Sequence, residues 1–151
     1  MNDTVFLTVI SGVLTFVVGQ LILKLVIEPV HAMKKTIAHV SHSLIEHANV
    51  IANPGVPRKE VMDNTSKHLR KLSSEIQSHL YLVPIYPVSA AIFRLPKKRD
   101  VLEASKALLG LSNSVFSARN DKVYENNAKR VEKVCDRLGI FLADDERWPR
   151  E

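Results

Sequence analysis

Three groups of residues in this 151-residue chain have types and spacings that could do chemistry. The first is rich in histidine. His39, His42 and Glu46 stand at i, i+3 and i+7, on one helix face, and imidazole and carboxylate both ligate zinc. Neither HExxH nor a cysteine pair is present to complete such a site. The three also lie opposite the apolar line Ile37/Val40/Leu44, where solvated polar residues belong, so no metal is expected. His47 falls on the apolar line itself and reads as a packed or interhelical hydrogen-bonding residue. The second group is basic: Arg94, Lys97, Lys98, Arg99 and Lys106, then Arg119, Lys122, Lys129 and Arg130. Between the two sets lies the polar interruption Gly110-Leu111-Ser112-Asn113-Ser114. Arg, Lys, Ser and Asn contact phosphates and base edges. Arg94, Lys97, Lys98, Arg99, Lys106, Asn113 and Arg119 are therefore candidate ligands of an anion such as a nucleotide or oligonucleotide. The third group is a stripe of small and hydroxyl-bearing residues, Thr8, Ser11, Gly12, Thr15 and Gly19, inside an apolar segment.

Catalysis has less support. No Gly-rich phosphate loop, GxSxG or nucleophile with a base is present, and no cofactor motif. Cys135, the one cysteine, sits among Val131, Val134 and Leu138 and reads as a buried thiol. An enzyme is not expected.

The elements that must carry these residues begin with Val5 to Leu23, 19 residues without a charge. A helix needs about 20 apolar residues to cross the hydrocarbon of a bilayer. A cleaved signal peptide would have a basic first region, a shorter apolar run and a small-residue cleavage site. Here Lys24, Glu28 and Pro29 follow the run, so a retained anchor is expected. Only Asp3 and the terminal amine precede it, whereas Lys24, His31, Lys34 and Lys35 follow. The positive-inside rule then puts the N-terminus outside and the rest of the chain in the cytoplasm, at the inner membrane. A single cysteine agrees with a reducing compartment. Beyond residue 30 lie 20 of the 21 Lys/Arg and 14 of the 16 Asp/Glu, a balance of +6. Such an excess beside a bilayer attracts anionic lipid headgroups or an anionic ligand.

A 4-3 spacing runs through Thr8, Gly12, Thr15, Gly19, Ile22 and Val26, then through Val30, Met33, Ile37, Val40, Leu44, His47 and Ile51. This is the seam of packed helices, small in the membrane and large in water. The step from Val26 to Val30 carries one extra residue, beside Pro29, where a kink or interruption is expected. The seam predicts self-association along the whole first helix. Asn53-Pro54-Gly55 ends it; a second helix is expected over about 57–82, with Val61, Leu69, Leu72, Ile76, Leu80 and Val83 inward. Val88 to Leu95 reads as a short helix buried under the bundle. Lys97 or Lys98 opens a third long helix to about Ser117, and Asn120 caps a fourth that Gly139 closes. The fold class is all-α: residues 1–29 an anchor and oligomerisation span, 30–138 a cytoplasmic helical bundle, and 139–151 a tail with Phe141, Leu142 and Trp148 its large apolar residues. Gln20, in the span, is expected to bond a neighbouring helix.

The stretch Leu102-Glu103-Ala104-Ser105-Lys106-Ala107-Leu108-Leu109-Gly110-Leu111-Ser112-Asn113-Ser114 resembles a segment of small bacterial membrane proteins. The layout, one span and then a basic helical domain, is similar to the small membrane effectors of anti-phage defence, nearest the channel effectors of Hailong systems. That resemblance implies a homotetrameric inner-membrane ion channel held shut by a single-stranded deoxyadenylate oligomer. The expectation is thus a homo-oligomeric channel or membrane-permeabilising effector, gated by an anionic ligand on its helical domain. The alternative is a membrane-tethered oligomeric scaffold that recruits a partner without conducting.

Overall fold

The computed structural model describes residues 2–118 and 120–141, and every regular element among them is helical. Arg119, Leu142 and Trp148 lie outside the described residues. The helices are α1 (Asn2–Ile22), α2 (Glu28–Glu46), α3 (Ala48–Ala52), α4 (Lys59–Leu82), α5 (Tyr86–Phe93), α6 (Lys98–Ser114) and α7 (Asp121–Leu138).

The expected break at Pro29 is not a break. Asp3–Glu46 is one continuous helix of 44 residues, and Leu23–Ile27 within it is a π-helical turn. The Glu28 N–H donates to the Leu23 carbonyl, five residues back. Proline crowds the carbonyl four residues before it, here that of Leu25, and a wider turn relieves the crowding. A π-turn holds one more residue than an α-turn. It absorbs the extra residue between Val26 and Val30, so the seam continues across it.

α4 returns antiparallel to α2, and α6 packs between α4 and α7. The core draws Met33, Val40 and Leu44 from α2, Leu69, Leu72 and Ile76 from α4, Val101, Leu108 and Leu111 from α6, and Val131, Val134 and Leu138 from α7. Val61, assigned inward from its spacing, is exposed: it lies in the first turn of α4, beyond the core. The large half of the seam therefore packs inside its own chain. Val30, Met33, Val40, Leu44 and Ile51 are all buried without a second copy. The expectation that this half needs partner helices is corrected; an intrachain bundle satisfies the same spacing. α1 is different, with every described side chain exposed.

The punctuation behaves as read. Asn120 Oδ1 accepts from the Val123 N–H at 2.8 Å, and Gly139 closes α7 in the left-handed region at φ 67°. Asn53-Pro54-Gly55 turns the chain. Gly55 has φ +74°, its N–H donates to the Val115 carbonyl at 2.9 Å, and a Cβ there would lie 2.7 Å from the Ser117 carbonyl oxygen. Gly55→Ala should cost about 1–3 kcal/mol, from left-handed strain plus a clash with backbone. Thermal unfolding of the detergent-solubilised protein checks it; an unchanged melting temperature would mean this turn does not hold α6.

The short helix after α4 differs from expectation. α5 meets α4 at 106° and crosses the end of the bundle instead of lying under it. Its inner face buries Tyr86 and Ser89, while Val88 and Ile92 stay exposed. The residues bracketing it, Ile85 and Arg94, both have left-handed backbone, φ 43° and 54°. Two such reversals hold a short helix transverse to its neighbours.

Candidate functional site

The stripe Thr8/Ser11/Gly12/Thr15/Gly19 follows the exposed α1. A Cβ at Gly12 or Gly19 would meet nothing within 4 Å, so the close-approach surface is vacant in the single chain. Thr8 Oγ1 donates to the Thr4 carbonyl at 2.8 Å and Thr15 Oγ1 to the Ser11 carbonyl at 2.9 Å. These bonds satisfy the hydroxyl donors within the helix itself and leave smooth helix surface outward.

The basic candidates do not form one site. Arg99 Nε donates to Glu103 Oε1 at 2.9 Å, one helical turn on. Glu103 also meets Arg137 at 3.0 Å and Lys133 at 3.4 Å, and Arg137 meets Asp100 at 3.1 Å. The hydrogen bond to Arg99 holds the Glu103 carboxyl below its usual range, with Arg137 and Lys133 acting the same way, and Glu103 raises Arg99 in return. Arg99 is thus held within α6 by the carboxylate that also ties α6 to α7. Asn113 Oδ1 accepts from Arg70 Nη2 at 2.6 Å, at the other end of α6. Fifteen residues of helix, about 22 Å by rise, separate it from Lys98. Lys106 is exposed between the two ends. Arg94, Lys97 and Lys98 do stay together, at the α5–α6 junction, and no ion pair ties them to a described residue.

Ser112 and Ser114, taken from sequence as part of a polar ligand segment, are buried. Their hydroxyls donate to the Leu109 and Leu111 carbonyls, and the Ser112 carbonyl accepts from Ser66 on α4. The segment that carried the family resemblance is a central core helix. Gly110 lets Arg130 lie across it, with Nε 2.8 Å from where a Cβ would stand. Arg130 also donates to Asn127, whose own amide reaches the Ile51 carbonyl at 2.9 Å.

The histidines form an interhelical ladder that the sequence only began to show. Thr36 pairs with His79 at 2.9 Å, Ser43 with His68 at 2.7 Å, and Thr65 with His47 at 3.3 Å. The rungs join α4 to α2 and to the residue between α2 and α3. His47 is thus an interhelical partner, as its place on the seam implied. His68 and His79 carry no local signal, because their hydroxyl partners lie 25 and 43 residues away. His39 faces a groove of ≈ 410 Å³ between α2 and α4, while His42 and Glu46 approach each other at 3.6 Å. Among the described residues, no three His, Cys, Asp or Glu are grouped to hold a metal ion.

Four features define the class of molecule: a continuous rod, an apolar half long enough to cross a membrane, a vacant small-residue face on that half, and a compact bundle on the other. No family model matches the chain, and no curated protein or solved structure is significantly similar to it.

Proposed function

We propose that this protein is a single-pass inner-membrane channel or permeabilising effector, assembled from several copies through α1, with its bundle in the cytoplasm. One observation carries the reading. The large half of the seam is buried within the chain, while the small half, Thr8 to Gly19, is left wholly unpartnered along a helix that can span a bilayer. Assembly therefore falls to the span, and one span per chain makes any pore a property of the oligomer. A tetramer and a place in anti-phage defence follow from the family resemblance. The anion expected to act on the gate is left with Arg94, Lys97 and Lys98 as its ligands. The continuous helix couples the two halves: what repacks the bundle around α2 turns or tilts α1.

A second reading, a non-conducting scaffold, is favoured by the inward bonds of Thr8 and Thr15, which suit a dry packing face better than a wetted wall. Gly12→Leu with Gly19→Leu should collapse the assembly to monomer, read by mass in detergent, and abolish conductance in planar bilayers. Thr15→Leu should narrow or close the path. An assembly of native mass in the double variant would remove the stripe as interface. An oligomer that stays silent with and without added nucleic acid would leave the scaffold. Conduction unchanged by Thr15→Leu would move the lining to the face of Gln20.

A further inference from the structure

We infer that α5 is a foot that rests in the cytoplasmic leaflet and binds an anionic phospholipid, with the headgroup phosphate on Lys97 and Lys98. The inference rests on the reading of α1 as a membrane span and assigns the anion of that reading to the membrane itself.

Its position follows from the antiparallel register. Thr36 faces His79 across the α2–α4 contact, so the end of α4 lies level with the first turns of α2. Tyr86 Oη reaches Met33 Sδ at 3.6 Å and donates to the Pro96 carbonyl at 2.7 Å, which fixes α5 at that level. The apolar surface of the first helix continues to Ile27, only six residues before Met33 and so about 9 Å away along the axis. α5 crosses the bundle end nearest the span.

Its surface is wrong for water. Ile85, just before α5, and Val88 and Ile92 within it are 75%, 53% and 68% exposed, turned away from the buried Tyr86 and Ser89. Leu82 and Tyr81 add to the same end. Ile85 is a β-branched residue held at φ 43°, a costly conformation that displays its side chain outward. Beside this face opens a groove of ≈ 310 Å³ with an apolar floor from Tyr86, Pro87, Ala90 and Leu95, and Lys97 and Lys98 at its edge. Apolar floor and ammonium rim, held where a headgroup layer would be, match the acyl–glycerol–phosphate sequence of a lipid. Exposed apolar side chains next to basic ones favour the boundary between acyl chains and anionic headgroups. An oligonucleotide would leave Ile85, Val88 and Ile92 in water.

The test uses the full chain with Cys135→Ala, reconstituted into vesicles of phosphatidylcholine alone or with a quarter phosphatidylglycerol. An environment-sensitive fluorophore is placed through Val88→Cys, or through Phe16→Cys in the span, or through Asn126→Cys on α7. Headgroup-attached nitroxide lipid should quench the Val88 label and spare the Asn126 label. The phosphatidylglycerol vesicles should quench the Val88 label more than the neutral ones. Lys97→Gln with Lys98→Gln should remove that excess, since each basic residue at an anionic surface is worth about fivefold in attraction. A Val88 label that stays aqueous while deep nitroxides quench the Phe16 label would overturn the foot and leave the span standing. Unquenched labels at both positions would overturn both. If single-stranded DNA binds the neutral vesicles and the double lysine variant loses it, the cluster belongs to nucleic acid and the lipid site is wrong.

Discussion

A protein carrying Ser73→Leu and Ser105→Leu is expected to lose its bundle. Hydroxyls line the contact of α4 with α6, beside the large side chains of the core. Ser73 Oγ donates to the Ser105 carbonyl at 2.8 Å, Ser105 Oγ donates back to the Ser73 carbonyl at 3.0 Å, and the two oxygens are 2.9 Å apart. One heptad away, Ser66 Oγ donates to the Ser112 carbonyl at 2.8 Å. A side chain as short as serine reaches the backbone of a facing helix only when the helices are close. Leucine at both positions forces α6 away from α4 while α7 holds it from the other side. Overpacking costs about 1–3 kcal/mol per site, so the pair removes about 2–6 kcal/mol. That is comparable with the whole stability of a small domain, about 5–15 kcal/mol. Thermal unfolding followed by circular dichroism should show the cooperative transition lost or moved far down. The alanine pair should retain it, losing only the net value of the hydroxyl bonds, about 1 kcal/mol each. A leucine pair melting near the parent would mean that α4 and α6 are not closely apposed.

The same contact shows what the sequence can and cannot disclose. Ser112 and Ser114 stand out as polar residues in an apolar stretch, and contact with phosphates is the natural inference. Their partners are local carbonyls or lie on α4, up to 46 residues away, and only the tertiary fold names them. Helix ends were legible because Asn53-Pro54-Gly55, Asn120 and Gly139 act through their own backbones. The seam was legible as a period but not as a partner: a 4-3 spacing is the same whether the facing helix belongs to a copy or to the chain itself. Charge counting could not see that Arg99 has Glu103 one turn away as its standing partner. α5 was legible as a helix, yet its exposure depends on Ile85 adopting a left-handed turn, which no residue preference would assign to isoleucine.

Acid should weaken the bundle before any carboxylate does. Below about pH 6.5, free histidine takes up a proton. His47 and His79 resist it: burial lowers both, with Glu46 opposing at His47 and Glu75 at His79, while His68 and His42 push His47 further down. The His47 and His68 rings sit 5.5 Å apart, and His79 keeps a buried Nδ1 with no partner. A proton on either nitrogen system must be accommodated inside the α2–α4 contact. The unfolded chain therefore binds more protons than the folded one in the window from about pH 6.5 down to the lowered folded values, and stability falls as pH falls through it. Glu103 acts in a separate range. Its folded value is depressed, so its contribution is present above the ordinary carboxylate value and is lost only as the pH drops below that. The melting temperature of the solubilised protein should accordingly be flat above pH 7 and decline by pH 5.5. His47→Gln with His79→Gln should flatten that decline, and Glu103→Gln should leave it in place. Stability constant from pH 7.5 to 5.5 in the parent would mean that these histidines are protonated as easily in the fold as in water. A decline that survives in the double glutamine variant would mean that His47 and His79 do not carry it.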